Sequence, residues 1–341
     1  MRHSQDMKST RRLGLTVLSV ASLVVTSLSV GCAASGDAAP PAVDDSVLSR
    51  GRGGNVHWPT TPAPKTDAGA PLSPAGSSCA PDAPFVGSSA VVGGDTRSAA
   101  LRSDELELFV VTRDGALDHF ARPTAGAAFA PSTPIALAGI TDATTLGPKV
   151  TGVGLSEDGL SLYVTAPQAD ARPPVSTLYV AHRAALSAAF GTPAQQDLHV
   201  EISLTLTSPV PDADESTLYY TVLGGGGARI LRRALVSGTP QSPFAAPPAF
   251  TNGSVLSHDG LRLYTAVGQV PEHSGAKNGM FALALASRDD ASASFGAPVN
   301  VTSLPHTDGI DEVPLWLSPD ECRLYYFRGT FSSGELRVAT K

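Results

Sequence analysis

The hydrophobic positions of this chain come in short runs such as LELFVV, LSLYVT and LRLYTA, separated by Gly, Pro, Ser and Asp. No long stretch repeats its apolar residues at the helical period, and runs of this length between turn formers predict β-strands. The runs also repeat. Alignment on an Asp followed five residues later by Tyr or Phe yields LRSDELELFVV (Asp104, Phe109), LSEDGLSLYVT (Asp158, Tyr163), DADESTLYYTV (Asp214, Tyr219), LSHDGLRLYTA (Asp259, Tyr264) and LSPDECRLYYF (Asp320, Tyr325). A Leu precedes the aromatic in each copy (Leu108, Leu162, Leu218, Leu263, Leu324), and successive Asp residues lie 54, 56, 45 and 61 positions apart. Ser, Pro, Asp and Gly make a tight turn in which the carboxylate accepts backbone N–H bonds and Gly permits a positive φ. The residues before each turn (VGL, SVL, PLWL) predict one strand and the L-x-L-Y run the next. That second strand is apolar on both faces and must be covered on both.

A second element recurs downstream. LYVAHRA precedes AFGTP around Phe190, FALALAS precedes SFGAP around Phe295, ILRRALV precedes PFAAP around Phe244, and LDHFARP precedes AFAPS around Phe129. The fifth copy would place its Phe beyond Lys341, but a matching APFVGSS lies at the front, around Phe85, with no turn motif before it. Five turns and five such Phe residues therefore match if the N-terminal strand completes the C-terminal sheet. The expectation is an all-β chain: a β-propeller of five blades of four antiparallel strands, its N-terminal strand lying beside Leu336–Thr340 and leaving no unpaired edge. A degenerate sixth blade in the longer spacings is the alternative.

The segment LSPDECRLYYF, with LSHDGLRLYTA and LSEDGLSLYVT, resembles the WD-repeat-like propeller repeat of the TolB type, and the F-G-x-P element fits the same group. The resemblance covers about residues 79–341. The first copy departs from it with Glu105 in the Gly place; the third has Glu215 there and lacks the Leu-Ser lead-in. It implies a propeller, with six blades in TolB proteins against five counted here, and leaves the function open, because such repeats serve many roles.

The N-terminus is organised differently. Residues 1–12 are basic, residues 13–31 carry no charge, and Gly31-Cys32 follows. This is the three-part layout of an export signal. It resembles a bacterial lipoprotein signal in which Cys32 is acylated, although Ser29 stands where such signals usually carry Leu. An uncleaved anchor or plain secretion is the alternative, and Gly14 argues against a twin-arginine signal at Arg11-Arg12. Residues 32–78 are rich in Ala, Pro, Gly, Ser and Asp, too poor in large apolar side chains to build a core, and read as a disordered tether between a signal peptide at 1–31 and a domain at 79–341. The expected location is the cell envelope, membrane-bound through the lipid. With Cys32 lipidated, Cys79 and Cys322 remain. Outside the cytoplasm they form either a disulfide, worth about 4–5 kcal/mol by chain entropy, or two buried thiols.

The chain has net charge −7, and without residues 1–31 about −10, so no basic face for nucleic acid is expected. The five aspartates Asp104, Asp158, Asp214, Asp259 and Asp320 recur once per repeat, hence in a ring rather than a cluster, and read as turn caps. Loops entering the innermost strands carry Asp142, Glu201, Asp308, Asp311 and Glu312, densest in TDGIDEVP. An acidic rim of this kind suits either a solvated loop or a cation such as Ca²⁺; no cofactor is otherwise expected. The histidines are scattered, and no HExxH or G-x-S-x-G motif is present. The long loop at 270–279 is the favoured place for specificity. Two functions follow. One is a monomeric, non-catalytic module that binds a protein or polysaccharide of the envelope. The other is a glycoside hydrolase or lyase using Asp142, Glu201, Asp308 and Asp311, which would require two carboxylates about 5–10 Å apart across a pocket.

Overall fold

The computed structural model describes residues 79–341 except 81, 93, 139, 141–149, 169–174, 197, 199–203, 225–226, 236–237, 249, 269–280, 305, 308 and 331–332. Cys32, the segments read as signal and tether, Asp142, Glu201, Asp308 and the 270–279 loop lie outside the described residues. The described residues all belong to the compact unit His57–Lys341.

The chain enters on β1 (Val86–Val92) and then builds antiparallel sheets in sequence order. The first blade is β2 (Thr96–Leu101), β3 (Glu107–Thr112), β4 (Leu117–Ala121) and β5 (Thr133–Pro134). The second is β6 (Gly152–Leu155), β7 (Ser161–Pro167), β8 (Ser176–His182) and β9 (Ala194–Gln196). The third is β10 (Thr205–Pro211), β11 (Thr217–Gly224) and β12 (Gly227–Ala234), with the fourth place held by one antiparallel bridge, Arg232 to Gln241. The fourth is β13 (Thr251–Leu256), β14 (Arg262–Gly268), β15 (Phe281–Ser287) and β16 (Val299–Asn300). The fifth is β17 (Asp311–Leu317), β18 (Arg323–Thr330) and β19 (Ser333–Thr340), and β1 supplies its outer strand, with Val86 opposite Thr340 and Val92 opposite Leu336.

The Leu-aromatic pair explains why five such sheets close a ring. Successive residues of a strand point to opposite faces, so the Leu of each second strand faces one neighbouring blade and the aromatic faces the other. All ten side chains are 2% exposed or less. Each of five apolar clusters joins the aromatic of one blade to the Leu of the next: Phe109 with Leu162, Tyr163 with Leu218, Tyr219 with Leu263, Tyr264 with Leu324, and Tyr325 with Leu108. The last pair joins the fifth blade to the first. Five inter-blade cores leave no room for a sixth blade. Fully burying a side chain of this size contributes about 1.5–3 kcal/mol, so the repeated dipeptide is a large share of what holds the blades together.

The innermost strands β2, β6, β10, β13 and β17 surround the axis, each against its neighbour in the ring. Gly154 lets β6 and β10 approach: a Cβ there would overlap the Pro209 carbonyl. Cys79 and Cys322 are joined in a disulfide with Cα atoms 5.4 Å apart, which fastens the start of the domain to the turn of the fifth blade. The ring is therefore closed twice, covalently and through β1.

Candidate functional site

Each innermost strand has an entry end and an exit end, and chemistry-bearing residues collect at both. At the exit end sit the repeated turns. Asp104, Asp158, Asp214, Asp259 and Asp320 each accept a hydrogen bond from the backbone N–H two residues on, at 2.9–3.1 Å. In the second, fourth and fifth blades the Ser of the lead-in donates to that carboxylate and accepts the N–H that follows the turn, as Ser318 does with Asp320 and Arg323. Arg102 and Asp212 replace this Ser in the other two copies: Arg102 forms a bidentate pair with Asp104, and Asp212 shares the Ser216 N–H with Asp214. Burial raises the Asp212 pKa, while the Ser216 hydrogen bond lowers that of Asp214.

The position after the Asp is left-handed in all five blades. Gly159 and Gly260 occupy it at φ 73° and 71°, and Glu105, Glu215 and Glu321 at 61°, 57° and 54°. A side chain in this region costs on the order of 1 kcal/mol and persists where its surroundings hold it. These three glutamates are held by the preceding blade. Glu105 is 2% exposed and accepts from Arg323 Nε (2.5 Å) and the Tyr325 hydroxyl (2.6 Å) of the fifth blade, and also from Arg122 Nη2 of its own blade (3.0 Å). Glu321 takes a bidentate pair from Arg262 (2.6 and 2.9 Å), and Glu215 accepts from the Tyr163 hydroxyl (2.6 Å). Burial and the Glu charges raise the Tyr163 and Tyr325 pKa values. Arg323 and Arg262 stand three residues after their Asp, and Tyr325 and Tyr163 five. The three glutamates are thus inter-blade latches. Between the first and second blades the polarity is reversed: Glu107, three residues after Asp104, receives Arg183 Nη2 of the second blade at 2.6 Å. Burial raises the Glu107 pKa, but His119 Nε2, 3.4 Å from Oε1, and the hydrogen bond and charge of Arg183 with the charge of Arg102 prevail, lowering it to about 2.

The recurring Phe is part of the same end. Arg122, Arg183 and Arg288 each donate Nε to the carbonyl of the left-handed residue of their own blade and lie 4.4, 4.7 and 4.3 Å over the rings of Phe129, Phe190 and Phe295. Lys341 lies 5.0 Å over Phe85. A cation over an aromatic face contributes about 0.5–2 kcal/mol. Sequence reading found the Phe but neither its cation nor the latches. The signal for the latches was Glu at one fixed register, seen at Glu105 and Glu215 as a departure and overlooked at Glu321.

At the entry end, the described members of the acidic rim are Asp311 and Glu312. Glu312 is 2% exposed, with Arg328 Nε at 3.4 Å and His306 Nδ1 at 3.2 Å, and Arg328 Nη2 also donates to Thr307 at 2.7 Å. Asp311 accepts the Phe281 N–H of the fourth blade at 3.0 Å, and burial raises its pKa. Among the described residues no group of three or more His, Cys, Asp and Glu side chains is placed to hold a metal ion. On the axis near the exit end is a cavity of about 100 Å³ lined by residues such as Leu101, Pro209 and Trp316, below the roughly 300 Å³ at which small-molecule pockets begin.

Fold and site together define a five-bladed β-propeller with a latched exit face. No protein-family model matches the chain, and no curated protein matches it. Among solved structures it is similar to TolB from Acinetobacter baumannii (16% identity, TM-score 0.40, covering 72% of this chain and 54% of that one). It is similar also to a gluconolactonase from Xanthomonas campestris (14%, 0.42, 72% and 71%) and to an α-L-arabinofuranosidase from Podospora anserina in complex with cellotriose (13%, 0.47, 78% and 99%). The present chain spans about half the length of the Acinetobacter protein.

Proposed function

We propose that this chain is an exported propeller, anchored in the cell envelope through lipid on Cys32, that binds a protein or polysaccharide of the envelope without transforming it. The observation that supports this most directly is the state of the two described rim carboxylates. Hydrolysis of a glycosidic bond uses two carboxyl groups facing one pocket, whereas Glu312 is buried between Arg328 and His306 and Asp311 is held by the Phe281 N–H. The Cys79–Cys322 bridge adds support, because such bonds persist in oxidising compartments and an export signal leads there. The reading includes no cofactor and no nucleic-acid partner, and takes the chain as a monomer.

Two measurements on the full chain test it. Cells fed labelled palmitate should incorporate label into the natural chain and not into Cys32→Ser; equal labelling would overturn the anchor. The detergent-solubilised protein, incubated with a panel of neutral and acidic polysaccharides, should release no reducing ends or unsaturated sugars. Turnover that disappears in Asp311→Asn would establish the hydrolase or lyase instead.

A further inference from the structure

Among the described residues, four of the five inter-blade contacts at the exit face are fastened by a carboxylate, and the fifth is not. Between the third and fourth blades the left-handed position is Gly260, and Thr217 stands where the fourth and fifth blades carry Arg262 and Arg323. The rest of the latch is still there. Tyr219 occupies the register of Tyr325 and Tyr163, and Arg288 the register of Arg122 and Arg183. Arg122 gives its Nη2 to Glu105, and Arg183 gives its Nη2 to Glu107. Arg288 uses Nε on the Gly260 carbonyl and Nη1 on the Ala293 carbonyl, and its Nη2 has no partner among the described residues. The Tyr219 hydroxyl likewise has none there. A Cβ built on Gly260 would lie 3.4 Å from Arg288 Nη2, so a side chain at this position would run toward that nitrogen. The other glycine of the set differs: at Gly159 the space is already occupied by Arg102 and Leu186, 3.1 Å from a built Cβ.

An open cleft lies at this blade junction. Its volume is about 710 Å³, and Tyr219, Arg232, Gly260 and Arg288 are among the residues that line it. The three aspartates that line it are already engaged: Asp259 accepts from Ser257, the Leu261 N–H and Arg262, Asp212 from Ser216 and Thr217, and Asp214 from the Ser216 N–H. We infer that this cleft is a binding site for an acidic side chain of a protein partner, of glutamate reach, whose carboxylate takes the place on Tyr219 and Arg288 that Glu105 takes on Tyr325 and Arg122. A peptide glutamate is favoured over other carboxylates because it is the group that the same register accepts elsewhere in the ring. The inference rests on the binding-module reading only in taking the partner to be a protein. It concerns the end of the propeller opposite Asp311 and Glu312.

The test uses the full chain in detergent, titrated with acetyl-Gly-Glu-Gly-amide, its Gln counterpart and galacturonate, and followed by the ¹⁵N resonances of the arginine side chains. The Glu peptide should saturate and shift the Arg288 signals, with the Gln peptide weaker by about tenfold. Gly260→Glu supplies the carboxylate internally, at a φ that three sister turns already give to Glu. It should fold with an unchanged or raised melting temperature and weaken the Glu peptide by about tenfold or more. Tyr219→Phe should weaken it several-fold. Equal binding of Glu and Gln peptides, no saturable binding, or undiminished binding by folded Gly260→Glu would overturn the site, and saturation by galacturonate alone would overturn the peptide assignment. None of these failures touches the palmitate or polysaccharide result, so the envelope reading can survive them.

Discussion

Glu105→Gln isolates what a latch contributes. Gln has the same shape and leaves the left-handed backbone unchanged, but it removes the charge and replaces one acceptor oxygen by an amide NH₂ set among two arginines and a tyrosine hydroxyl. Glu105 sits where the ring closes: its partners Arg323 and Tyr325 belong to the fifth blade, 218 and 220 residues away in sequence. Breaking a buried ion pair by removing one partner costs about 3–5 kcal/mol. Part is recovered here, because Arg323 keeps Asp320 at 3.2 Å and Arg122 keeps the Glu105 carbonyl at 2.6 Å and its stacking on Phe129. The expected loss is about 2 kcal/mol, or roughly 4–8 °C in melting temperature for a domain of this size. Glu215→Gln, which gives up one hydrogen bond from Tyr163, should cost about 1 kcal/mol. Calorimetry and urea unfolding of the oxidised protein measure both. A cycle with Tyr325→Phe should be non-additive, since that hydroxyl bonds Glu105 at 2.6 Å. A loss below about 0.5 kcal/mol for Glu105→Gln, or strict additivity in the cycle, would refute the latch.

Reduction of Cys79–Cys322, or Cys79→Ser, should lower the urea midpoint. The bridge spans 243 residues, for which chain entropy sets a ceiling of about 5 kcal/mol, and the pairing of β1 with β19 should keep the measured loss below it; an unchanged midpoint would show that the strand closes the ring unaided. Glu107 should mark acid unfolding. Its pKa is depressed from the ordinary 4.5 to about 2, so its stabilisation is complete above pH 4.5 and is lost as pH falls toward 2. It amounts to at most about 3 kcal/mol. Glu107→Gln should flatten the stability profile across that window and leave its slope above pH 5 unchanged; an identical acid limb in the variant would contradict the assignment.

The fold was legible because its cause is periodic. A Leu and an aromatic at adjacent strand positions must face opposite ways, and each blade needs both faces covered, so the same dipeptide recurs wherever a blade occurs. Turn chemistry was legible for the same reason: an Asp capping its own turn bonds two residues along the chain, as Asp320 does with Cys322. The closing strand at Phe85 could be found because a spare downstream element at the front matched a missing one at the back.

What depends on pairs distant in sequence was not legible. Glu105 and Glu215 looked like lapses from a Gly pattern, and only the ring brings them against the preceding blade. The rim read as a set of carboxylates, yet Glu312 is neutralised by Arg328, which β18 returns beside it. Local repeats thus determined the architecture from sequence alone. Which charges are spent within the ring, and that Tyr219 and Arg288 line one cleft with no carboxylate bonded to either among the described residues, was decided only by the closure that brings one blade's turn against its neighbour's strand.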